Sequence, residues 1–305
     1  MTNRRHFLST AGATLLGASL VDKAGAAAIP EAPVHTASAT AAPLAPPGGR
    51  PYNPVVTLNG WTLPWRMKDG VKEFHLVAEP VVRELAPGMQ ANLWGYNGQS
   101  PGPTIEVVEG DRVRIFVTNK LPEHTSIHWH GQILPCGMDG VTGLTQPGIA
   151  PGKTFVYEFV ARHAGTFMYH PHADEMQQMA MGMMGSWVTH PKDIRQHAVE
   201  RDYVLLLGAY DIEPGSYTPR TNTMLDFNLW TFFGDLDMGG MFTVLKVREG
   251  LARGDYRDPG WYRHPAGTVA REWTGELPAA PQAPGSGAAS AGEPVTVRKP
   301  ATHRH

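Results

Sequence analysis

Cysteine is almost missing from this chain: Cys136 is the only one among 305 residues, so no internal disulfide can form. A lone thiol of this kind reads as a loop or core residue rather than as a nucleophile. Charge is scarce as well. Charged side chains make up 18% of the residues, with 26 Lys and Arg against 28 Asp and Glu. A net charge of -2 provides no basic field, which argues against nucleic acid or any other polyanion as a partner. Membrane-length apolar runs are lacking too, since the stretch from Leu8 to Val21 is too short to cross a bilayer. What the chain has in quantity is Gly (34) and Pro (27), which favour many short strands joined by turns over long helices.

The start of the chain reads as an address. Asn3-Arg4-Arg5-His6-Phe7-Leu8 leads into the apolar run, and Ala24-Gly25-Ala26 and Ala26-Ala27-Ala28 follow it as small-residue cleavage sequences. The paired arginines resemble the twin-arginine export signal of bacteria, whose cargo crosses the membrane already folded. Residues 1–28 are therefore expected to be a signal peptide. The mature protein is expected to be periplasmic or secreted, with no membrane attachment after export. Residues 29–54 are rich in Ala, Pro and Gly with few large apolar side chains, the composition of a disordered linker.

Strand patterning begins near Val55. Phe74, Leu76, Val81 and Val82 lie in a strand-like run, and Leu85-Ala86-Pro87-Gly88 supplies a turn. Val113, Ile115 and Val117 alternate with Arg112, Arg114 and Phe116, which predicts a strand with one buried face. Phe155, Tyr157 and Phe159 alternate in the same way. Tyr203-Val204-Leu205-Leu206-Leu207-Gly208-Ala209-Tyr210 reads as a buried strand, and Met224–Thr231 and Met241–Val247 as two more. Arg253 to Trp273 reads as an irregular surface segment, and 276–305 as a disordered tail.

Two short histidine pairs stand out, His128-Trp129-His130-Gly131 and His170-Pro171-His172. Successive side chains of a strand point to opposite faces, so histidines two apart share a face, roughly 7 Å apart. Brought onto neighbouring strands, the two pairs would aim four imidazoles into one pocket, an arrangement that suits copper or zinc. Only 14 histidines occur in the chain, and four fall into this pattern. Pro171 cannot donate to a central ladder, which places the second pair at a strand end or edge.

The order of motifs around these pairs carries a resemblance. Asn97-Gly98-Gln99-Ser100-Pro101-Gly102-Pro103-Thr104-Ile105 is followed by Gly110-Asp111-Arg112-Val113-Arg114-Ile115-Phe116-Val117-Thr118-Asn119 and then by the first histidine pair. Ala164-Gly165-Thr166-Phe167-Met168-Tyr169 runs into the second. The set resembles the first cupredoxin domain of multicopper oxidases, densely from Tyr96 to Val188. The resemblance implies an all-β fold, a cupredoxin-like Greek-key β-sandwich over residues 55–195, plus an incomplete second β half over residues 196–275. It implies copper as cofactor in a type 2 and type 3 half-site of a trinuclear cluster that reduces dioxygen. In that pattern His128 would bind the type 2 copper, and His130, His170 and His172 the type 3 pair. Partners implied are copper ions, dioxygen and a small reducing substrate.

The rest of the family pattern is missing from this sequence. Neither an H-x-x-H-x-H run nor an H-C-H-x-x-x-H run occurs, the next histidine after His197 is His264, and no cysteine follows Cys136. A blue-copper site needs a thiolate, so none can be assembled by the family pattern. The resemblance implies that the body of the second domain is absent between about Trp230 and Met238. Oxidase turnover would then need a homo-oligomer or partner that completes the site. The alternative is a non-catalytic periplasmic protein that binds or sequesters copper.

Neighbouring residues leave two readings open. Met176, Met179, Met181, Met183 and Met184 could form a soft Cu(I) patch or a flexible core segment. Asp174 and Glu175 could orient a ligand imidazole or cap the following helical turn. Asp139, in a turn near the first pair, could support a ligand histidine. His124 and His163 have no partner at useful spacing and read as surface or turn residues.

Overall fold

The computed structural model describes residues 52–284, apart from 59, 194, 196–198, 200, 214, 220–227, 232–233 and 238–245. The first ten strands follow in chain order as β1 (Val56–Thr57), β2 (Arg66–Lys68), β3 (Val71–Ala86), β4 (Met89–Tyr96), β5 (Gly102–Val108), β6 (Arg112–Asn119), β7 (His128–His130), β8 (Thr154–Val160), β9 (Gly165–His170) and β10 (Gly185–His190). A single short helix, α1 (Glu175–Ala180), separates the last two. Beyond them lie β11 (Tyr203–Val204), the hairpin strands β12 (Asn228–Thr231) and β13 (Gly234–Asp237), and β14 (Arg271–Glu272). No helix among the described residues is long and apolar enough to cross a membrane.

The long strand β3 serves two partners. Its first half, from Lys72 to Ala78, pairs in parallel with β6, and its second half pairs antiparallel with β4 around the Pro87-Gly88 turn. Gly88 makes that turn at a φ of 78°, a left-handed value that glycine adopts without a Cβ clash. One sheet runs in the order β14, β8, β6, β3, β2 with β4 on the far half of β3, and the other in the order β5, β10, β9, β7. The fold is thus the all-β, cupredoxin-like sandwich that the sequence pattern implies.

The two sheets close on one apolar core. Phe74, Leu76, Ile115, Val117 and Tyr157 from the first sheet meet Ile105, Val107, Trp129, Tyr169 and Trp187 from the second, all fully buried. Each such side chain contributes about 1.5–3 kcal/mol by leaving water. Trp129 sits at the centre, its ring 5.4 Å from Tyr157 and 5.7 Å from Trp187. Because side chains alternate along β7, driving Trp129 into the core turns both His128 and His130 to the opposite face.

The outer face of the first sheet is held by charge. Glu73, almost fully buried, bonds Arg66 and Arg114 at 2.8 Å each, and Arg114 also reaches Glu158 at 2.8 Å. These residues are cross-strand neighbours in register on β2, β3, β6 and β8. Burial resists ionisation of Glu73, but the two guanidiniums outweigh it and hold its carboxyl below the usual range.

Three expectations from the sequence are corrected. Phe116 was expected on an exposed face of β6, yet it is 1% exposed because Trp273 packs edge-on at 5.2 Å and His75 at 6.4 Å. The run from Tyr203 to Tyr210 is not a buried strand. Only Tyr203 and Val204 pair, with β1, and Leu205 and Leu207 are exposed because no further strand among the described residues receives them. Residues 276–284, expected to belong to a disordered tail, instead continue a strap from β14 that lies on the sandwich. Pro278 and Pro281 keep their carbonyl acceptors, and these take hydrogen bonds from His75 Nδ1 at 2.8 Å and Asn97 Nδ2 at 2.7 Å. The strand expected over Met224–Thr231 is described only as β12, and that over Met241–Val247 lies almost wholly outside the described residues.

Candidate metal centre

Strand register builds the site. β7 and β9 pair antiparallel with His128 opposite His170, Trp129 opposite Tyr169 and His130 opposite Met168. The pairing brings the two histidine motifs onto adjacent strands of one sheet. β9 ends at His170, where Pro171 has no N–H to continue the ladder. His172 therefore leaves the strand and is held by its backbone instead. Its N–H donates to Ser126 Oγ at 3.1 Å, and its carbonyl accepts from the Thr142 N–H at 3.1 Å.

The four imidazoles converge. Ring centroids lie 5.2 Å apart for His128 and His170, 5.3 Å for His128 and His130, and 5.4 Å for His130 and His170. One nitrogen from each of these three lies within 4.8 Å of the others, and no other set of His, Cys, Asp or Glu among the described residues comes as close. His172 stands at the side of this trio, 5.5 Å from His128 and 6.2 Å from His170 by ring centroid.

Hydrogen bonds behind the rings select which nitrogens are free. His128 Nδ1 donates to the Asp139 carbonyl at 2.8 Å, with the Asp139 carboxylate at 3.3 Å. His170 Nδ1 donates to the Pro171 carbonyl at 2.9 Å. Placing the proton on Nδ1 leaves the Nε2 lone pair of both rings available to a metal. His130 Nδ1 and His170 Nε2 face each other at 3.2 Å, a separation that calls for a shared proton or a cation. The Nδ1 of His172 is buried and makes no hydrogen bond to another residue.

Electrostatics differ across the site. Burial alone would pull the His128 pKa down, but the Asp139 carboxylate and carbonyl, aided by Glu175, outweigh it and raise the value. Burial is the leading cause that holds His170 and His172 below the ordinary histidine value, and the neighbouring histidines add to it. A lowered value makes these two rings harder to protonate, which favours free lone pairs for a metal. An all-imidazole donor set of this kind fits copper.

The secondary candidates separate. Asp139 contacts His128 directly. Glu175 lies with one carboxylate oxygen 3.7 Å from His170 Nδ1 and the other 3.7 Å from His172 Nε2. The clustered methionines do not share one environment, since Met183 is fully buried and Met176 is 50% exposed. His163 packs edge-on against Phe167 at 4.8 Å. Cys136 is exposed, on a single helical turn, Cys136–Met138. Ser126 and Thr142, which anchor His172, belong to no motif, and nothing in the local sequence announces them.

Comparison with known proteins places this segment. A family model described as multicopper oxidase matches residues 78–194. Copper resistance protein A of Escherichia coli is 35% identical over 160 residues, covering 50% of this chain and 26% of that protein. A copper resistance protein A homolog of Pseudomonas syringae pv. tomato is 41% identical over 132 residues, covering 43% of this chain and 22% of that one. The chain thus spans about a quarter of the length of these curated relatives. The crystal structure of a multi-copper oxidase from Pseudomonas thermotolerans is 41% identical over 40% of this chain and 30% of its own, with a TM-score of 0.40. The matched segment 78–194, which carries both histidine pairs, is similar to the multicopper oxidase family.

Proposed function

We propose that this chain binds copper through His128, His130, His170 and His172, as the type 2 and type 3 half-site of an oxygen-reducing cluster. The observation that carries the reading is the convergence of His128, His130 and His170 nitrogens within 4.8 Å from two strands paired in register. Imidazoles alone would suit zinc as well, and the similarity of residues 78–194 to multicopper oxidases favours copper. When bound, copper would supply one-electron chemistry between a small reducing substrate and dioxygen.

The chain's own residues prepare that chemistry. Asp139 fixes the tautomer and tilt of His128, the Pro171 carbonyl does the same for His170, and Ser126 and Thr142 hold the backbone of His172. Trp129 and Tyr169 hold the registered strands from the core side. Oxidase turnover needs two things that the sequence does not supply by the family pattern, a thiolate for electron entry and a facing set of histidines. In this reading the facing histidines come from a second chain, a further copy of this one or another partner, and because a further copy would still lack the type 1 thiolate, electron entry takes another route. The twin-arginine-like start supports loading before export to the periplasm or beyond.

A second reading, copper sequestration without turnover, is favoured by the sole cysteine being exposed on its own turn and by His130 being exposed to solvent. Copper per chain, measured on copper-loaded protein, tests the shared part of both readings. The double variant His128→Ala/His170→Ala should lose most of its copper, and unchanged copper content would overturn the assignment. Oxygen consumption with a reducing substrate, together with native mass, then separates an oligomeric oxidase from a sequestering monomer.

A further inference from the structure

Glu175 belongs to no histidine motif, yet its carboxylate spans both members of the second pair. Oε1 lies 3.7 Å from His170 Nδ1, and Oε2 lies 3.7 Å from His172 Nε2. Both distances are too long for a hydrogen bond and short enough for the carboxylate's charge to act on a cation held by the two rings. Glu175 is about 27% exposed at the side chain, so the contact is only partly screened by water.

The surrounding structure is built to keep it there. Asp174, the residue before α1, has a φ of 38°, a left-handed conformation that aspartate tolerates better than most non-glycine residues. The turn brings the first helical residue, Glu175, over the histidines. α1 is then pinned from its far side. Gln178 is fully buried, accepts from Thr125 Oγ1 at 2.7 Å, and donates to the His124 carbonyl and to Glu123, each at 2.9 Å. Gln177 donates to both Glu123 oxygens at 3.1 Å. The loop that holds α1 in this way leads directly into β7, so Glu175 is fixed relative to both histidine pairs.

We propose that Glu175 is the acidic residue of this centre, a carboxylate that faces His170 and His172 and biases the site toward Cu(II) over Cu(I). This rests on the copper-binding reading above. The physical basis is charge. The four imidazoles are neutral donors when they bind metal. An adjacent carboxylate stabilises the divalent ion more than the monovalent one, because its attraction scales with the ion's charge.

The test compares full-length protein with Glu175→Gln, which keeps shape and removes charge, and Glu175→Asp, which keeps charge on a shorter arm. Cu(II) and Cu(I) dissociation constants are measured by competition with chelators of each ion, alongside the EPR spectrum of the Cu(II) form and thermal unfolding of metal-free protein. Glu175→Gln should weaken Cu(II) binding about tenfold while changing Cu(I) binding less than threefold, with a shifted copper hyperfine pattern. Glu175→Asp should recover part of the Cu(II) affinity. Equal losses for both ions would mean a merely structural role and would overturn the proposal, as would Cu(II) binding unchanged in Glu175→Gln. If His128→Ala/His170→Ala loses copper while Glu175→Gln does not, only this inference fails. If neither loses copper, the copper-binding reading fails with it.

Discussion

His128 and Asp139 are joined twice over. The ring Nδ1 donates to the Asp139 carbonyl at 2.8 Å and lies 3.3 Å from its carboxylate. The backbone bond sets the tautomer, and the carboxylate adds charge that favours an electron-rich ring.

Asp139→Ala separates these two contributions, because alanine keeps the carbonyl and loses the carboxylate. Copper affinity should fall about tenfold with the fold intact, read by chelator competition and by thermal unfolding of the metal-free protein. An affinity equal to wild type would show that the carbonyl alone prepares His128.

The next residue is a stricter constraint. Gly140 has a φ of 77°, and a Cβ built on it would lie 1.6 Å from the Ile127 carbonyl oxygen and 3.1 Å from the His128 nitrogen. Gly140→Ala must therefore push the backbone that leads into His128, with an expected destabilisation of about 2–4 kcal/mol and a larger copper loss than Asp139→Ala. Gly152 is the control. It has the same φ of 77° with nothing within 4 Å, so Gly152→Ala should cost about 1 kcal/mol and leave copper binding unchanged. Urea unfolding with copper analysis of both variants checks the pair, and equal copper contents would refute the argument.

His75 gives a pH dependence away from the metal site. Its Nδ1 donates to the Pro278 carbonyl at 2.8 Å, so the neutral ring accepts at Nε2 from Thr118 Oγ1, also at 2.8 Å. Burial, followed by the positive charge of Lys120, lowers its pKa despite the opposing bond to Pro278. A histidine with a depressed folded pKa leaves the unfolded chain binding more protons, so stability rises with pH. That contribution is present above the ordinary value near 6.5 and is lost as pH falls through it toward the lower folded value. Metal-free wild type should thus lose stability more steeply than His75→Gln between about pH 7 and pH 5. Parallel curves in urea unfolding would remove His75 as the cause.

The sequence alone reached the strands with clear alternation, such as Val113, Ile115 and Val117, and the two histidine pairs that the structure brings together. Those features are local: a period of two or a spacing of two residues is set by the geometry of one strand. Phe116 escaped that logic because Trp273 and the C-terminal strap, remote in sequence, cover it. The buried strand read into Tyr203–Tyr210 failed for the converse reason, since apolar composition does not provide a partner strand.

Tertiary structure decided how the pieces meet. Spacing placed His128 beside His130 and His170 beside His172, but only the register of β7 against β9 sets His128 opposite His170. The break at Pro171 sets His172 to one side, and the pinned turn at Asp174 carries Glu175 over the second pair. The same holds for Asp139 behind His128. Such relations join segments that are far apart along the chain, and their energies depend on packing and hydrogen bonds formed only once the sandwich closes.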